Sequence, residues 1–237
     1  MHQELPIVIL CGGAGTRLRP LTQTVPKTLV PLNGKPMLQH IMEYHLRKGH
    51  NRFVLCVGYL GDVIRNFIIS ADIKADVSIS DMGSEASMLA RLHGARQYVD
   101  ERALITYGDT LIDTNLDTML EAHISMGTPL TLTTASIRNP FGLVRLGVGN
   151  RVLSFEEKPV QTFYIGQMLI ERTLLDGLGS HWVEEPDGEG LVHLIQTLAE
   201  RGQVGAFPYC GPQITFNTEQ ELQKAEKDII TFYTQYH

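Results

Sequence analysis

Residues 7–17 read IVILCGGAGTR, four aliphatic residues followed by a turn that contains three glycines. An aliphatic run without polar alternation is typical of a parallel strand that is buried on both faces. Gly12, Gly13 and Gly15 have no Cβ atom, so the backbone amides of this turn can approach a bulky anion such as a triphosphate. The stretch therefore predicts a buried strand that ends in a phosphate-binding loop.

Two common glycine patterns do not fit this loop. A P-loop requires Gly-Lys-Ser/Thr after its second glycine, and the dinucleotide fingerprint requires a glycine where Leu18 stands. The loop is instead followed by two cations at fixed distances. Arg17 offers a planar donor fork suited to the outer phosphates, whereas Lys27 offers a compact point charge suited to the reacting oxygens. Both residue types suit a ligand that carries several phosphates.

The rest of the chain alternates strand and helix patterns, which predicts an α/β fold with a mostly parallel central sheet between two layers of helices. No repeat or linker interrupts the pattern, so residues 1–237 are predicted to form one domain. Pro36 is predicted to be the first residue of a helix that continues over 37–46. The remaining predicted elements are strands at 7–10, 52–57, 77–79, 103–106, 130–137, 143–146, 152–155 and 164–170, and helices ending near Tyr98 and spanning 219–233.

A second apolar strand ends in glycine and an acid. Residues 105–109 read ITYGD, and the carboxyl ends of parallel strands meet at one sheet edge, so Asp109 should lie near the glycine loop. A carboxylate there can hold Mg²⁺ while water and phosphate oxygens complete its octahedral shell. Asp113 is either a second ligand or the cap of the helix that follows.

Composition limits the partners and the location. The net charge is −6 and no basic stripe is present, so we expect no nucleic-acid binding. No apolar run approaches the length of about 18 residues that a membrane span needs, and residues 1–4 lack the plan of a secretion signal. The three cysteines, Cys11, Cys56 and Cys210, are expected to be reduced. These features predict a cytoplasmic protein without a membrane partner.

The segment after the first strand closely resembles the signature of the sugar-1-phosphate nucleotidylyltransferases, which join a nucleoside triphosphate to a sugar phosphate and release pyrophosphate. The resemblance implies a Rossmann-like three-layer sandwich, catalytic roles for Arg17 and Lys27, and Mg²⁺ on Asp109. It also implies nucleotide binding by Leu10, Gly12, Gly13, Gly15, Thr16, Arg17, Arg91 and Gly108. The matching positions are Gly12, Gly13, Gly15, Thr16, Arg17, Leu18, Pro20, Leu21, Thr22, Pro26, Lys27, Leu29, Pro31, Lys35 and Pro36.

A later segment, residues 154–159 with the sequence SFEEKP, resembles the Glu-Lys-Pro element with which this family holds the sugar phosphate. The resemblance implies that Lys158 supplies a cation and that Glu157 orients it or meets a sugar hydroxyl. A surface ion pair between the two is the alternative. Gly142 and Gly166 lie where relatives place residues against the sugar, so we expect them in the substrate site.

Within the family the chain is most similar to the glucose-1-phosphate cytidylyltransferases, so CTP is the favoured nucleotide. Arg91 matches an arginine that lies near the base and the phosphates in that subgroup, although it can equally face outward from its helix. The residues before it, Met88, Leu89 and Ala90, replace a turn with paired glycines. We therefore expect bulk where the base should pack.

Two further departures affect the metal and the acceptor. Asn217 stands where relatives carry a second metal-binding aspartate, so it is a weak candidate ligand, and its place before a helix also fits an N-cap. Ile165 and Gln167 flank Gly166 where relatives show asparagine and paired glycines. The acceptor therefore stays open among glucose-1-phosphate, a heptose or mannose phosphate taken by a cytidylyl- or guanylyltransferase, and a non-sugar phosphate or phosphonate.

Two further classes of protein fit parts of this pattern. The first is a non-catalytic relative that binds a nucleotide or a sugar. The second is a type-A glycosyltransferase, which is disfavoured because such enzymes carry an Asp-x-Asp pair and residue 111, two positions after Asp109, is leucine. Residues 184–189 are interpreted as a solvated acidic loop, in which Glu185 or Glu189 could border the sugar. The apolar side of the last helix could dock on the core or on a second copy, so a homo-oligomer is possible.

Overall fold

The computed structural model describes residues 5–236, with side chains up to residue 234. Residues 1–4, which entered the prediction of location, lie outside this range. The strands are β1 (Ile7–Leu10), β2 (Pro31–Leu32), β3 (Lys35–Pro36), β4 (Arg52–Val57), β5 (Asp76–Asp81), β6 (Arg102–Tyr107), β7 (Thr110–Ile112), β8 (Leu130–Arg138), β9 (Leu143–Leu146), β10 (Val152–Glu156), β11 (Val160–Glu171), β12 (Val204–Pro208) and β13 (Gln213–Thr215). The helices are α1 (Met37–Arg47), α2 (Gly61–Ser70), α3 (Met88–Ala95), α4 (Leu116–Met126), α5 (Arg172–Asp176), α6 (Ser180–Val183), α7 (Glu189–Glu200) and α8 (Glu219–Tyr236).

The described residues form a seven-stranded central sheet with the order β12-β8-β11-β6-β1-β4-β5. All neighbours in this sheet are parallel except β11, which is antiparallel to both β6 and β8. The predicted mostly parallel sheet is thus confirmed. The carboxyl ends of β1, β4 and β6 lie at the same edge, so the loops after them are neighbours.

Helices cover both faces of the sheet. Ile7 and Ile9 of β1 pack with side chains of α1 and α8 on one face, whereas Val8 packs with α3 and α7 on the other. Alternate side chains of a strand point to opposite faces, so a strand buried on both faces must be apolar throughout. The three-layer α/β fold is therefore confirmed.

Two helices show how local sequence sets their position. α1 begins at Met37 and not at Pro36, which was predicted as its first residue, because Pro36 is extended (φ −55°, ψ 142°) and pairs with Pro31 between β2 and β3. α8 carries Ala225, Ile229 and Phe232 into the core of its own chain. The apolar side of the last helix is thus used within the molecule.

Part of the structure extends beyond the central sheet. The paired strands β8 and β11 extend outward as far as the pair Arg138 and Val160. Between them in sequence, β9 pairs with β10 in an antiparallel hairpin. We call residues 137–163 the arm. Its apolar side chains are exposed, among them Phe141, Val148 and Phe155. In the described part of the chain, no helix is long and apolar enough to cross a membrane.

Candidate active site

The loops that follow β1 and β6 line a cavity of about 500 Å³ at the carboxyl edge of the sheet. Strand β1 lies at the centre of this edge, between β6 and β4. Open α/β sheets bind ligands at such an edge. The cavity is lined by Leu10, Cys11, Gly12, Gly13, Ala14, Gly15, Thr16, Arg17, Lys27, Thr28, Met88, Arg91, Tyr107, Gly108, Asp109, Asp187 and Asn217.

The glycine loop is held at both ends by hydrogen bonds. At its start, the N–H of Cys11 donates to the carbonyl of Cys56 (2.9 Å), and the carbonyl of Gly12 accepts from the N–H of Tyr59 (3.1 Å). At its end, Gly15 has φ +57°, which favours glycine, and its carbonyl accepts from Oγ1 of Thr22 (2.8 Å). The loop is therefore anchored to β4 and to the following turn while its middle lines the cavity.

Gly108 brings the end of β6 against this loop. Its N–H donates to the carbonyl of Leu10 (3.0 Å), and a Cβ atom at Gly108 would lie 2.8 Å from Oγ1 of Thr28. Such a separation is shorter than real Cβ contacts, so a larger residue would force the two segments apart. Glycine here places Asp109 directly beside the turn that carries Lys27.

Lys27 is the centre of a polar cluster in the cavity. It begins the short 3-10 turn Lys27–Leu29, and its ammonium forms an ion pair with Oδ2 of Asp109. The same ammonium donates to Oδ1 of Asn217 (3.0 Å) and lies 5.7 Å from the ring centre of Phe216. Residues far apart in sequence thus meet at one point, where a cation and two oxygen-bearing side chains face the cavity.

The side-chain oxygens of Asp109 and Asn217 lie close together, because both accept from Nζ of Lys27. Oxygen ligands of this kind fit a hard divalent cation. Among the described residues no group of three His, Cys, Asp or Glu side chains could hold a metal. Asp113 does not line the cavity, since its Oδ1 accepts from the hydroxyl of Tyr44 (2.6 Å). The helix cap that was its alternative role belongs to Asn115, which accepts from the N–H of Thr118 (3.1 Å).

The alternative role predicted for Asn217, the N-cap of the last helix, is not the one that this residue has. The capping side chain of α8 is Thr218, whose Oγ1 accepts from the N–H of Glu221 (3.3 Å). The carboxylate of Glu221 reaches back to the backbone N–H of Asn217 (2.6 Å). This arrangement leaves the amide side chain of Asn217 directed to Lys27.

Arg91 is buried, which excludes the outward-facing orientation. Its side chain is 5% exposed, and its guanidinium donates to the carbonyls of Val57 (2.5 Å), Gly83 (2.9 Å) and Ser84 (3.0 Å). A Cβ atom at Gly12 or Gly58 would overlap this guanidinium. Arg91 therefore joins the loops that follow β1, β4 and β5 while it lines the cavity.

The predicted bulk at the base position lies elsewhere. Leu89 is 1% exposed and packs into the core with α7, and Ala90 is buried as well. Neither lines the cavity. The first turn of α3 directs these two side chains to the sheet, so the expectation that they would crowd the base was wrong. Of residues 88–90, only Met88 contributes to the cavity wall.

The residues expected to bind the sugar phosphate do not line this cavity. Glu157 and Lys158 lie in the arm, more than half exposed, with 3.8 Å between the Oε1 and Nζ atoms. A Cβ atom at Gly142 would lie 3.5 Å from Oε2 of Glu157, so these residues form one group. Gly166 (φ +88°) is packed against Tyr107 at the point where the arm meets the sheet. The role of all four in substrate binding stays a prediction.

The acidic segment 184–189 contributes a residue that the sequence did not single out. Glu185 accepts from His193 (2.7 Å), Glu189 begins α7, and neither lines this cavity, so a place beside the sugar stays a prediction for both. Asp187 does line it and accepts from the backbone N–H of Met88 (2.8 Å). The two residues are separated by 99 positions, so no local spacing could have revealed the contact.

Burial keeps two further groups of the cavity uncharged. Burial raises the pKa of the Cys11 thiol to about 12, and it also raises the pKa of the Tyr107 hydroxyl. Cys11 is therefore no thiolate nucleophile at neutral pH. The charged side chains of the lining are Arg17, Lys27, Arg91, Asp109 and Asp187, a set suited to a polyphosphate.

The sequence is similar to those of known proteins. Residues 7–170 match the family model described as nucleotidyl transferase. The glucose-1-phosphate cytidylyltransferase of Salmonella typhimurium is 31% identical over 236 residues, which cover 86% of this chain and 88% of the relative. The D-glycero-alpha-D-manno-heptose 1-phosphate guanylyltransferase of Campylobacter jejuni is 31% identical over 157 residues, with 64% and 67% covered.

The fold has counterparts among solved structures. The crystal structure of HddC from Yersinia pseudotuberculosis shares it with a TM-score of 0.74 at 20% identity, and the match covers 95% of this chain and 99% of HddC. The sheet, the two layers of helices and the glycine loop at the sheet edge define an α/β protein of the kind that binds ligands at this edge. The chain belongs to the nucleotidyl transferase family, within which it is a sugar-phosphate nucleotidyltransferase.

Proposed function

We propose that this enzyme joins CTP to a sugar-1-phosphate and releases pyrophosphate. The observation that carries the proposal is the cluster in which Lys27 contacts Asp109 and Asn217 inside the cavity lined by the glycine loop. With Mg²⁺ on its two oxygen-bearing side chains, such a cluster would position a triphosphate and offset its charge. The preference for CTP is supported by the similarity to glucose-1-phosphate cytidylyltransferase over most of both chains.

The reaction is a direct in-line displacement. An oxygen of the acceptor phosphate attacks the α-phosphorus, a new P–O bond forms, the bond from the α-phosphorus to the bridging oxygen breaks, and pyrophosphate leaves. A phosphate monoester dianion is nucleophilic enough near neutral pH, so the step needs no general base and no covalent enzyme intermediate. Catalysis then depends on alignment and charge stabilisation.

The cavity residues divide this work. Arg17, exposed on the turn after the glycine loop, would hold the β- and γ-phosphates with its donor fork. Lys27 would exchange its contact with Asp109 for oxygens of the α-phosphate and the acceptor. Asp109 and Asn217 would hold Mg²⁺, which supplies positive charge to the phosphate oxygens. Glu157 and Lys158 would bind the acceptor.

A second candidate function concerns base and acceptor. The heptose 1-phosphate guanylyltransferase of Campylobacter jejuni supports a guanylyltransferase acting on a heptose or mannose phosphate. Ile165 and Gln167 stand where relatives show asparagine and paired glycines, so a non-sugar phosphate or phosphonate is a further candidate acceptor. We further propose one nucleotidyltransferase domain in a reducing, cytoplasmic setting, which the free thiols of Cys11 and Cys56 fit.

Pyrophosphate release tests the proposal. The wild-type protein with Mg²⁺ is assayed with CTP, UTP, GTP, ATP and dTTP against sugar-1-phosphates and phosphocholine, and CTP with a sugar-1-phosphate is expected to react fastest. Lys27→Ala should lower the rate on the order of 100-fold or more, because it removes the cation at the reacting phosphates. Lys224→Ala, which removes an exposed ion pair with Asp228 on α8, is the matched control. No release with any pair, or an unchanged rate in Lys27→Ala, would refute the proposal.

A further inference from the structure

A carboxylate stands at the edge of the nucleotide cavity, in the segment between α6 and α7. Oδ1 of Asp187 accepts a hydrogen bond of 2.8 Å from the backbone N–H of Met88, the first residue of α3. The helix has its own cap, because Ser87 accepts from the N–H of Ala90 (3.2 Å). Asp187 is exposed, and among the described residues its Oδ2 has no partner, so one carboxylate oxygen is held at the wall and the other can accept a hydrogen bond from a ligand.

The strand order places Asp187 away from the reacting end. Asp109 follows β6 and holds Lys27, whereas Met88 and Arg91 belong to α3, which packs on β5, β4 and β1. The glycine loop after β1 separates these two ends. A triphosphate bound at Lys27 therefore leaves the nucleoside at the end walled by Met88 and Asp187.

We propose that Asp187 is a specificity-determining residue that accepts a hydrogen bond from the exocyclic amino group of the nucleobase and thereby favours CTP over UTP. The inference rests on the proposed function. An ionised carboxylate can only accept hydrogen bonds. Cytosine presents an amino donor at position 4, whereas uracil presents a carbonyl oxygen there. The apolar side chain of Met88 offers a flat-lying base a surface on the same wall.

The exchange Asp187→Asn tests this role with little structural change. The amide oxygen can still accept from the N–H of Met88, while the amide nitrogen takes the place of Oδ2 and donates to the O4 atom of uracil. The ratio of CTP to UTP affinity should fall at least about tenfold, because one hydrogen bond is lost for cytosine and one is gained for uracil. Calorimetric titration of the protein with each nucleotide and Mg²⁺, without acceptor, measures the ratio independently of turnover.

Two comparisons keep this test separate from the proposed function. Glu184→Gln removes a carboxylate from the same acidic segment, and Glu184 does not line the cavity, so the affinity ratio should not change. A wild-type protein that binds UTP as tightly as CTP, or an unchanged ratio in Asp187→Asn, would overturn the inference. Discrimination in binding without pyrophosphate release would instead support the inference and count against the proposed function.

Discussion

Asn217 sets the charge of the proposed metal site. Its amide oxygen and the Asp109 carboxylate both contact Lys27, so the two oxygen-bearing side chains carry one negative charge where two aspartates would carry two. The affinity of a site for a divalent cation rises with the number of charged oxygens. We expect Asn217→Asp to bind Mn²⁺ on the order of tenfold more tightly without nucleotide, as measured by electron paramagnetic resonance of free Mn²⁺.

The control for this exchange is Asn150→Asp, which adds the same charge in an exposed turn of the arm. It should leave the Mn²⁺ affinity at the wild-type value. Equal affinities in Asn217→Asp and Asn150→Asp would contradict a metal role for this position.

Gly58 gives Arg91 the space to hold three loops together. A Cβ atom at Gly58 would overlap the guanidinium, so Gly58→Ala must displace Arg91 from the carbonyls of Val57 and Gly83. Lost hydrogen bonds in a buried site and overpacking each destabilise by roughly 1–3 kcal/mol. We expect urea unfolding to show a loss of this size, accompanied by weaker nucleotide binding.

The stability of Gly13→Ala is the matched comparison, because its Cβ atom would meet open space. This variant should unfold at the same urea concentration as the wild type. If both alanine variants are equally stable, Arg91 does not depend on the absence of a side chain at Gly58.

Buried histidines on two helices make the stability of the fold depend on pH. Burial lowers the pKa of His45 on α1 from 6.5 to about 3, and burial also lowers the pKa of His123 on α4. The folded state therefore favours neutral histidine, whereas the unfolded chain binds a proton below about pH 6.5. The resulting stability is fully present above pH 6.5 and falls as the pH decreases from there toward the lowered pKa values.

We expect the free energy of unfolding, measured with urea at intervals between about pH 8 and pH 5, to decrease on the acid side. His45→Gln, which cannot titrate, should show a shallower decrease than the wild type. His181→Gln, in an exposed position, should keep the wild-type slope. An identical slope in His45→Gln would show that His45 is protonated equally in both states.

The elements that local pattern predicts are those buried on a regular period. β1 is a continuous apolar run, as is β4 after its first residue, Arg52. α1 repeats its apolar residues at helical spacing, so the burial of all three elements can be predicted from neighbouring positions. β7 and β13 are three residues each and exist because they pair with one another across distant parts of the chain. Such strands carry no local period, and their pairing is decided by the tertiary structure.

The residues of the candidate site also divide into those that local sequence predicts and those that the tertiary structure brings in. The glycine loop and Asp109 could be brought together from sequence, since parallel strands β1 and β6 end at the same sheet edge. Asp187 could not, because its contact with Met88 depends on how α6 and α7 pack beside α3. Position in the cavity is therefore predictable for residues that follow core strands, and not for residues that distant loops deliver.

The separation between cavity and arm predicts separate effects on the two substrates. Lys158 lies in the arm, whereas the predicted nucleotide-binding side chains line the cavity. We expect Lys158→Ala to raise the KM for the sugar-1-phosphate about tenfold, because one cation at the acceptor phosphate is lost, with little change in nucleotide affinity. Steady-state kinetics with each substrate varied, together with nucleotide titration, measure the two effects.

Arg151→Ala provides the comparison, since it removes another exposed cation from the arm. It should leave both substrates unaffected. A fall in nucleotide affinity in Lys158→Ala, with the acceptor KM unchanged, would place this lysine in the nucleotide site and contradict the division. The expected result requires that one phosphate group, the attacking phosphate of the acceptor, contacts both Lys158 of the arm and Lys27 of the cavity.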